Sequence, residues 1–348
     1  MEKNMDTIKN NKLYKEDIEQ ILQQNSDWSK LKNKTILISG ATGLIGTPLV
    51  DMLILLNQKY SLNLKLILIS RHDRISEFGF VKYIKHDISK PIEIEDKIDF
   101  VIHASSNTHP LQYSQNPIET ITTNVFGTWN LLSLVIKNTN CRFLFLSSVE
   151  IYGADLQILK DGFSETDCGY IDCNNPRSCY NESKRLSETL CAAFNSELNI
   201  DYVTARLCRV YGPTLKSDDS KAMSQFLKKA IKGEDIILKS KGNQFFSYIY
   251  SADAASALIF LLINGNSGEA YNIADSKSNI TLKDLAETIA KFSNQKVIYD
   301  LPDEIEQKGF SKSQRSILNV EKISKLGWNP QFDIESGIKR TLFLMKQI

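Results

Sequence analysis

Thr35-Ile36-Leu37-Ile38-Ser39 runs directly into Gly40-Ala41-Thr42-Gly43-Leu44-Ile45-Gly46, and an apolar segment then continues through Leu56. The short run rich in β-branched residues predicts a buried strand, the glycines a tight turn, and the segment after them a helix. Strand, glycine-rich turn and helix in that order is the setting of a dinucleotide fingerprint. Glycines let the backbone approach the pyrophosphate closely, and the helix amino terminus faces it. Gly40, Thr42, Gly43, Leu44, Ile45 and Gly46 are therefore candidate cofactor-binding residues.

The alternation continues down the chain. Leu64 to Ser70 reads as a second strand and is followed by Arg71-His72-Asp73-Arg74. An acid at that strand end would bind the ribose 2′-hydroxyl of NAD; here it is missing, and Arg71 either accommodates the 2′-phosphate of NADP or is a solvated loop residue. Strands are expected at Phe80 to Ile84, Phe100 to His103 and Cys141 to Leu146, with a helix around Asn124 to Asn138. Strands alternating with helices predict an α/β fold with a parallel sheet covered on both faces. Asp87, just after its strand, either receives the adenine amino group or forms a turn, and Asn124 is expected to bond backbone groups in a structural role.

Two further stretches carry chemistry. Ser147-Ser148-Val149-Glu150 follows a central strand, and ligands of open parallel sheets bind beyond the carboxyl ends of strands. Downstream, Tyr180 and Lys184 are four residues apart in a predicted helix, Lys184 to Glu197, so phenol and ammonium share one face. The lysine charge is expected to favour the phenolate, letting Tyr180 take the proton of a sugar hydroxyl while a cofactor takes the hydride. Ser148 is then placed to bond the reacting oxygen or the phenol, and Glu150 is a second acid or base.

Composition narrows the classes. Of 348 residues, 42% are hydrophobic and 24% charged, as in an ordinary globular protein. Lys plus Arg (42) balances Asp plus Glu (41), which argues against nucleic-acid or membrane-surface partners. The segment Met1 to Asn11 is polar and lacks the apolar core of a secretory signal, and no run approaches a membrane span, so a cytoplasmic location is expected. Six cysteines without Cys-x-x-Cys spacing make zinc unexpected and read as reduced thiols. Tyr14 to Gln24 forms a short amphipathic helix, expected to pack on the body or a partner subunit.

From Lys34 to Pro330 the chain resembles the extended short-chain dehydrogenase/reductases that act as nucleotide-sugar epimerases, dehydratases and decarboxylases. The glycine turn, Ser148, the Tyr180/Lys184 pair, Arg206 with Val210-Tyr211-Gly212-Pro213, and Leu326-Gly327-Trp328-Asn329-Pro330 carry the likeness. Pro176-Arg177-x-Cys179-Tyr180-x-Glu182-x-Lys184-Arg185, with Asn116-Pro117-Ile118 upstream, brings it nearest to UDP-glucuronate decarboxylases. The resemblance implies a Rossmann-type doubly wound sheet binding NAD, or NADP, and a smaller α/β lobe binding an NDP-sugar. It implies an amino-terminal extension over 1–33, a dinucleotide domain over 34–205 to which 247–265 return, and a lobe over 206–348. It further implies Ile88 and Ala104 at the cofactor, Ser106, Tyr113, Arg209, Gln225 and Arg315 at the substrate, and a homodimer built through helices that include the Tyr180 one.

Departures from that pattern matter for the reaction. Val149 stands where related dehydratases carry an acid, Phe246 where the family carries an arginine, and Arg209 where it carries an asparagine. Arg209 either takes over the missing guanidinium or forms a surface ion pair. Arg315, within Ser313-Gln314-Arg315-Ser316, is a second phosphate candidate, and Ser224 and Gln225 are candidates for the base. Asp253 is expected to cap the helix Ser251 to Ile263, and Ser217-Asp218-Asp219-Ser220 to be a flexible insert. The expected activity is epimerisation through a 4-keto intermediate, with decarboxylation or dehydration as alternatives and a non-catalytic NAD(P)-binding sensor as the other class.

Overall fold

The computed structural model describes residues 2–24, 26–108, 110–154, 161–300 and 314–347. Met1 and Ser313, named above, lie outside them. Seven strands form one parallel sheet: β1 (Thr35–Ser39), β2 (Lys65–Ser70), β3 (Val81–Lys85), β4 (Phe100–His103), β5 (Arg142–Ser148), β6 (Asp201–Leu207) and a late strand, Glu269–Ile273. From edge to edge the order is Glu269–Ile273, β6, β5, β4, β1, β2, β3.

Side-chain alternation explains why both faces are covered. Ile36 and Ile38 of β1 and Leu66 and Leu68 of β2 join one buried cluster, while Leu37, Ile67 and Ile69 join another. The first cluster lies under the helices Gly46–Tyr60 and Ser251–Asn264, which pack on each other; the second lies under Pro117–Ile136 and Cys179–Leu198. In chain order the helices are α1 (Glu2–Asn10), α2 (Lys12–Glu19), α3 (Gly46–Tyr60), α4 (Pro110–Gln115), α5 (Pro117–Ile136), α6 (Cys179–Leu198), α7 (Ala222–Lys232), α8 (Ser251–Asn264), α9 (Leu282–Ser293), α10 (Glu321–Leu326) and α11 (Ile334–Met345). The α6 helix starts five residues earlier than its apolar pattern predicts, so Tyr180 sits in its first turn. Arg206 of β6 binds Glu188 of α6 at 2.7 Å and thereby ties this helix to the sheet.

Smaller strands form the second layer. They are β7 (Arg209–Tyr211), β8 (Ile236–Leu238), β9 (Phe245–Tyr250), β10 (the Glu269–Ile273 strand of the main sheet), β11 (Asn279–Thr281), β12 (Val297–Tyr299) and β13 (Arg315–Ser316). Strand β9 pairs with β7 and β13 in parallel and with β11 antiparallel, and β8 pairs with β12. The chain therefore returns to the main sheet twice, through α8 on its face and β10 at its edge.

Two local expectations are corrected. Asp253 does not cap α8, whose amino end has no side-chain cap. Its buried carboxylate instead accepts the backbone N–H groups of Gln331 and Phe332 at 2.8 and 2.9 Å, because the chain after α10 folds back over it. The polar stretch at 217–220 is not loose: Lys228 donates to the carbonyls of Ser217 and Asp219 at 2.7 and 2.6 Å. The amino-terminal segment packs on the body, as its amphipathic pattern predicts, burying Ile8, Tyr14, Ile18 and Ile21. Within it, Asp17 accepts from the Tyr250 hydroxyl and from Arg340, while Lys9 and Tyr14 both reach Asp51 at 2.7 Å.

Burial pushes Asp17 up to about 6 and Asp253 up to about 7, against the hydrogen bonds each accepts. Both shifts favour the protonated acid in the folded chain. Their stabilising contribution is full below the ordinary carboxylate range and is lost as pH rises through about 6 and about 7. Urea unfolding at about pH 5 and about pH 8 is expected to show less stability from these groups at the higher pH, and Asp253→Asn to shrink the difference. An unchanged pH slope in that variant would contradict the assignment.

Candidate active site

The carboxyl ends of β1, β4 and β5 converge at the glycine turn. Gly40 adopts φ +76°, and a Cβ there would lie 2.6 Å from the carbonyl carbon and oxygen of Ala104, which follows β4. A Cβ on Gly46 would lie 2.1 Å from the Gly40 carbonyl oxygen. Only glycine lets these backbones meet. The head of α3 has no side-chain cap; Thr47 N–H donates to the Gly43 carbonyl at 3.0 Å and Pro48 has no N–H, so the amides that can meet an anion are those ahead of Thr47. Gly40, Thr42, Gly43, Leu44, Ile45, Gly46 and Ala104 thus form a cradle suited to a dinucleotide pyrophosphate. From the second layer, the Thr214 hydroxyl donates to the Leu44 carbonyl at 2.8 Å, a contact with no local sequence signal.

The other cofactor candidates spread around this turn. Arg71 is exposed beyond β2 with its guanidinium 3.8 Å from Glu119 on α5. The Asp87 carboxylate accepts from the backbone and hydroxyl of Ser89, the turn-forming arrangement, and these bonds hold it below the usual carboxylate range. Ile88 is buried, and its carbonyl accepts from Asn130 of α5 at 3.0 Å.

Ser148, at the end of β5, caps the following turn by accepting from Glu150 N at 3.2 Å, and its hydroxyl stands beside the Tyr180 phenol. Tyr113 stacks on Tyr180 with ring centroids 5.4 Å apart. The electrostatics differ from the expectation based on helical spacing. Burial pushes the Tyr180 phenol up to about 12, opposed by the neighbouring Ser148 hydroxyl and reinforced by Glu150. Lys184 is 3% exposed, donates to the Leu146 carbonyl at 2.7 Å and stands 4.8 Å over the Phe145 ring. Burial depresses its ammonium to about 7 although Glu188 opposes this. Desolvation sets the direction of both shifts, and neither group is among those that move the other.

Glu150 is held from two sides. Asn181 of α6 donates to its carbonyl at 2.8 Å and to its carboxylate at 3.4 Å, and Arg209 of β7 lies 3.7 Å from the other carboxylate oxygen. Arg209 is thus in the site and not in a surface pair. Sequence reasoning passed over Asn181, for which an amide one residue after Tyr180 was the available signal. Gln225 is turned elsewhere, its amide donating to the Ser220 carbonyl at 2.7 Å. Arg315 stacks over Phe245, 5.2 Å from the centroid. Among the described residues no group of His, Cys, Asp and Glu is arranged to hold a metal ion.

Asn124 does more than expected. Its side chain accepts from the Ser106 hydroxyl and donates to the Ser183 hydroxyl, both at 2.8 Å, so it links the loop after β4 to α6 across 59 residues of chain. It bonds side chains where backbone groups were expected, since α5 and α6 pack face to face.

Residues 36–274 match the model of the NAD dependent epimerase/dehydratase family. The chain belongs to that family. UDP-glucuronic acid decarboxylase 3 of Arabidopsis thaliana is 32% identical over 318 residues, covering 88% of this chain and 87% of the relative. UDP-glucuronic acid decarboxylase 1 of Xenopus tropicalis is 27% identical, covering 92% and 74%. Among solved structures, UDP-glucose 4-epimerase of Thermotoga maritima with UDP-glucose superposes with a TM-score of 0.75 at 21% identity, covering 89% of this chain and 98% of that one. dTDP-glucose 4,6-dehydratase of Bacillus anthracis in complex with NAD gives 0.74 at 21%, covering 89% and 96%. These superpositions show the shared extended short-chain dehydrogenase/reductase fold.

Removing the Asn124 side chain would take one partner each from the part-buried Ser106 and the buried Ser183, whose hydroxyls keep only the Asn107 and Tyr180 carbonyls, and would empty a fully buried position. Asn124→Ala is expected to cost ~1–3 kcal/mol of stability in urea unfolding. A loss below about 0.5 kcal/mol would show that the link is not a support of the site.

Proposed function

We propose that this family member binds NAD in the glycine cradle and epimerises the sugar of an NDP-sugar at C4 through a ketone. The observation that carries this reading is the placement of Ser148, at the carboxyl end of β5, beside the Tyr180 phenol, with Lys184 one turn along the same helix. NAD, when bound, supplies a two-electron acceptor at the sugar carbon and a donor that reverses the step. Burial favours the protonated phenol, so Tyr180 would act after losing that proton to solvent, the Lys184 ammonium stabilising the phenolate. The phenolate would then take the proton of the sugar hydroxyl as the hydride leaves the sugar carbon; the hydride returns to the other face of the ketone while Tyr180 gives the proton back to the same oxygen, to which Ser148 donates. Lys184 would also hold the nicotinamide ribose. The stretch 34–205, with 247–265, serves the dinucleotide, and most of 206–348 serves the NDP-sugar, for which Ser106, Tyr113, Arg209 and Arg315 are the proposed contacts.

Epimerisation is favoured by what stands beside Ser148. Val149 is 4% exposed and packed in the core, and Glu150 is occupied by Arg209 and Asn181, so the turn offers no free second acid for protonating carbon. Decarboxylation stays as the second reading because the decarboxylase relatives match along most of the chain and Arg209 keeps a cation beside Glu150. Arg71 turns toward Glu119, which favours NAD over NADP. Six unpaired cysteines suit a reducing cytoplasm.

A panel of UDP-, dTDP-, GDP- and CDP-sugars, read by mass and NMR, tests the reaction: an epimer of unchanged mass is expected. Loss of carbon dioxide or water would replace this reading by the decarboxylase or dehydratase one. Tyr180→Phe is expected to lower kcat by ~10²–10⁴-fold with dinucleotide affinity nearly intact. Activity within about threefold of the parent protein would remove Tyr180 from the acid–base role.

A homodimer follows from the outer face of α5 and α6. Ile118, Phe126 and Trp129 of α5 and Leu186 of α6 are 76%, 54%, 51% and 47% exposed, an apolar surface two copies would bury against each other. Phe126→Glu is expected to shift sedimentation from dimer to monomer; a parent protein that is already monomeric would refute the dimer.

A further inference from the structure

One backbone acceptor at the head of α3 cannot be satisfied by its own helix. On either side of it the Gly43 and Ile45 carbonyls accept from the N–H groups of Thr47 and Leu49 at 3.0 and 3.1 Å, the four-residue ladder of a helix start. The Leu44 carbonyl between them would take its bond from residue 48, which is Pro48 and has no N–H. Its donor comes instead from the second layer. The Thr214 hydroxyl meets this carbonyl at 2.8 Å across 170 residues of chain, and Thr214 is itself buried.

A constrained stretch delivers that hydroxyl. Strand β7 ends at Tyr211, whose hydroxyl donates to the Ile334 carbonyl at 3.4 Å. At Gly212 a Cβ would lie 2.0 Å from the Ser251 Oγ, so the main chain runs directly against the head of α8, and Pro213 fixes the next φ. Beyond Thr214, Lys228 of α7 holds the carbonyls of Ser217 and Asp219. The hydroxyl is therefore a fixed point, and what it fixes on the turn is a direction. The Leu44–Ile45 peptide is planar and trans, so its carbonyl and its N–H point opposite ways. With the carbonyl turned to Thr214, the Ile45 N–H points away from the second layer, and among the described residues no acceptor meets it. It lies ahead of Thr47, among the amides of the glycine turn that an anion can reach.

We infer that Thr214 is a positioning residue of the dinucleotide cradle: its hydroxyl replaces the N–H that Pro48 lacks and holds the Leu44–Ile45 peptide so that the Ile45 N–H faces the pyrophosphate. The cradle is thus completed by the lobe assigned to the NDP-sugar, through a side chain remote from the glycine turn in sequence. The inference rests on the reading of that turn as the NAD site and adds a residue to it.

Calorimetric titration of the full chain with NAD, and separately with UDP, tests this without requiring turnover. Thr214→Val keeps the side-chain shape and removes the donor. NAD affinity is expected to fall about five- to tenfold, the size of one neutral hydrogen bond, with UDP affinity changed less than about twofold. Thr214→Ser keeps the hydroxyl and is expected to stay within about twofold of the parent protein for NAD. Pro48→Ala placed in the Thr214→Val chain gives the Leu44 carbonyl an N–H from its own helix and is expected to return NAD affinity to within about threefold of the parent, a rescue that a threonine serving only to pack would not produce. Should Thr214→Val fail to fold, Thr214→Ala removes the same donor and is expected to show the same loss. NAD affinity of the donor-less variant within about twofold of the parent, an equal loss for UDP, or no recovery with Pro48→Ala would each overturn the inference while leaving NAD in the cradle. A parent protein that binds no NAD would sink the cradle reading and this inference with it; one that binds NAD but not UDP, with the Thr214 effects intact, would sink the NDP-sugar reading and leave the role of Thr214 standing.

Discussion

A close approach of two stretches of main chain governs the rest. Gly40 and Gly46 let the turn after β1 lie against Ala104 after β4, where any side chain would strike backbone at 2.6 Å or less. That contact brings the carboxyl ends of neighbouring strands level, since Ser39 pairs with His103 and the Ala104 N–H donates to the Ser39 carbonyl at 3.0 Å. Strand β5 then ends beside them with Ser148, and α6 presents Tyr180 and Lys184 to the same opening. A parallel sheet buried on both faces cannot adjust locally, so the turn, the serine and the helix keep one relative arrangement.

Within that frame, desolvation sets the proton chemistry more than charge does. Tyr180 and Lys184 move in the direction burial dictates, the phenol up and the ammonium down, each becoming a poorer ion than its free counterpart. Two such groups on one helical turn exchange stabilisation once either is ionised, because the low-dielectric surroundings strengthen their mutual attraction. Glu150 is partly exposed and is held between Arg209 and Asn181 beside the turn after β5.

Particular residues show how much could be read in advance. The glycine turn and the first five strands of the main sheet are local patterns and sit where those patterns placed them, whereas Asp201–Leu207 and Glu269–Ile273, which complete the sheet, were not read as strands. Helix α1 was not foreseen, because its charged sequence has no clear apolar face until Ile8 meets the body. Asp253 was misassigned as a cap because its partners, Gln331 and Phe332, lie 78 and 79 residues away. The same distance blindness hid the Ser106–Asn124–Ser183 link and the Thr214–Leu44 contact.

The sequence by itself determined the class: periodicity of two in the strands, a glycine turn in its proper setting, and a tyrosine and lysine four apart are properties of neighbouring residues, and neighbours are fixed by covalent order. Tertiary structure alone decided which charges act together. Arg209 and Phe246 are unremarkable departures when read along the chain; pairing β7 with β9 makes them a stacked unit with Glu150 at its edge. Burial likewise moved Tyr180 against the direction expected from its spacing to Lys184, since the desolvation of a group depends on everything packed around it and on nothing in its own spacing.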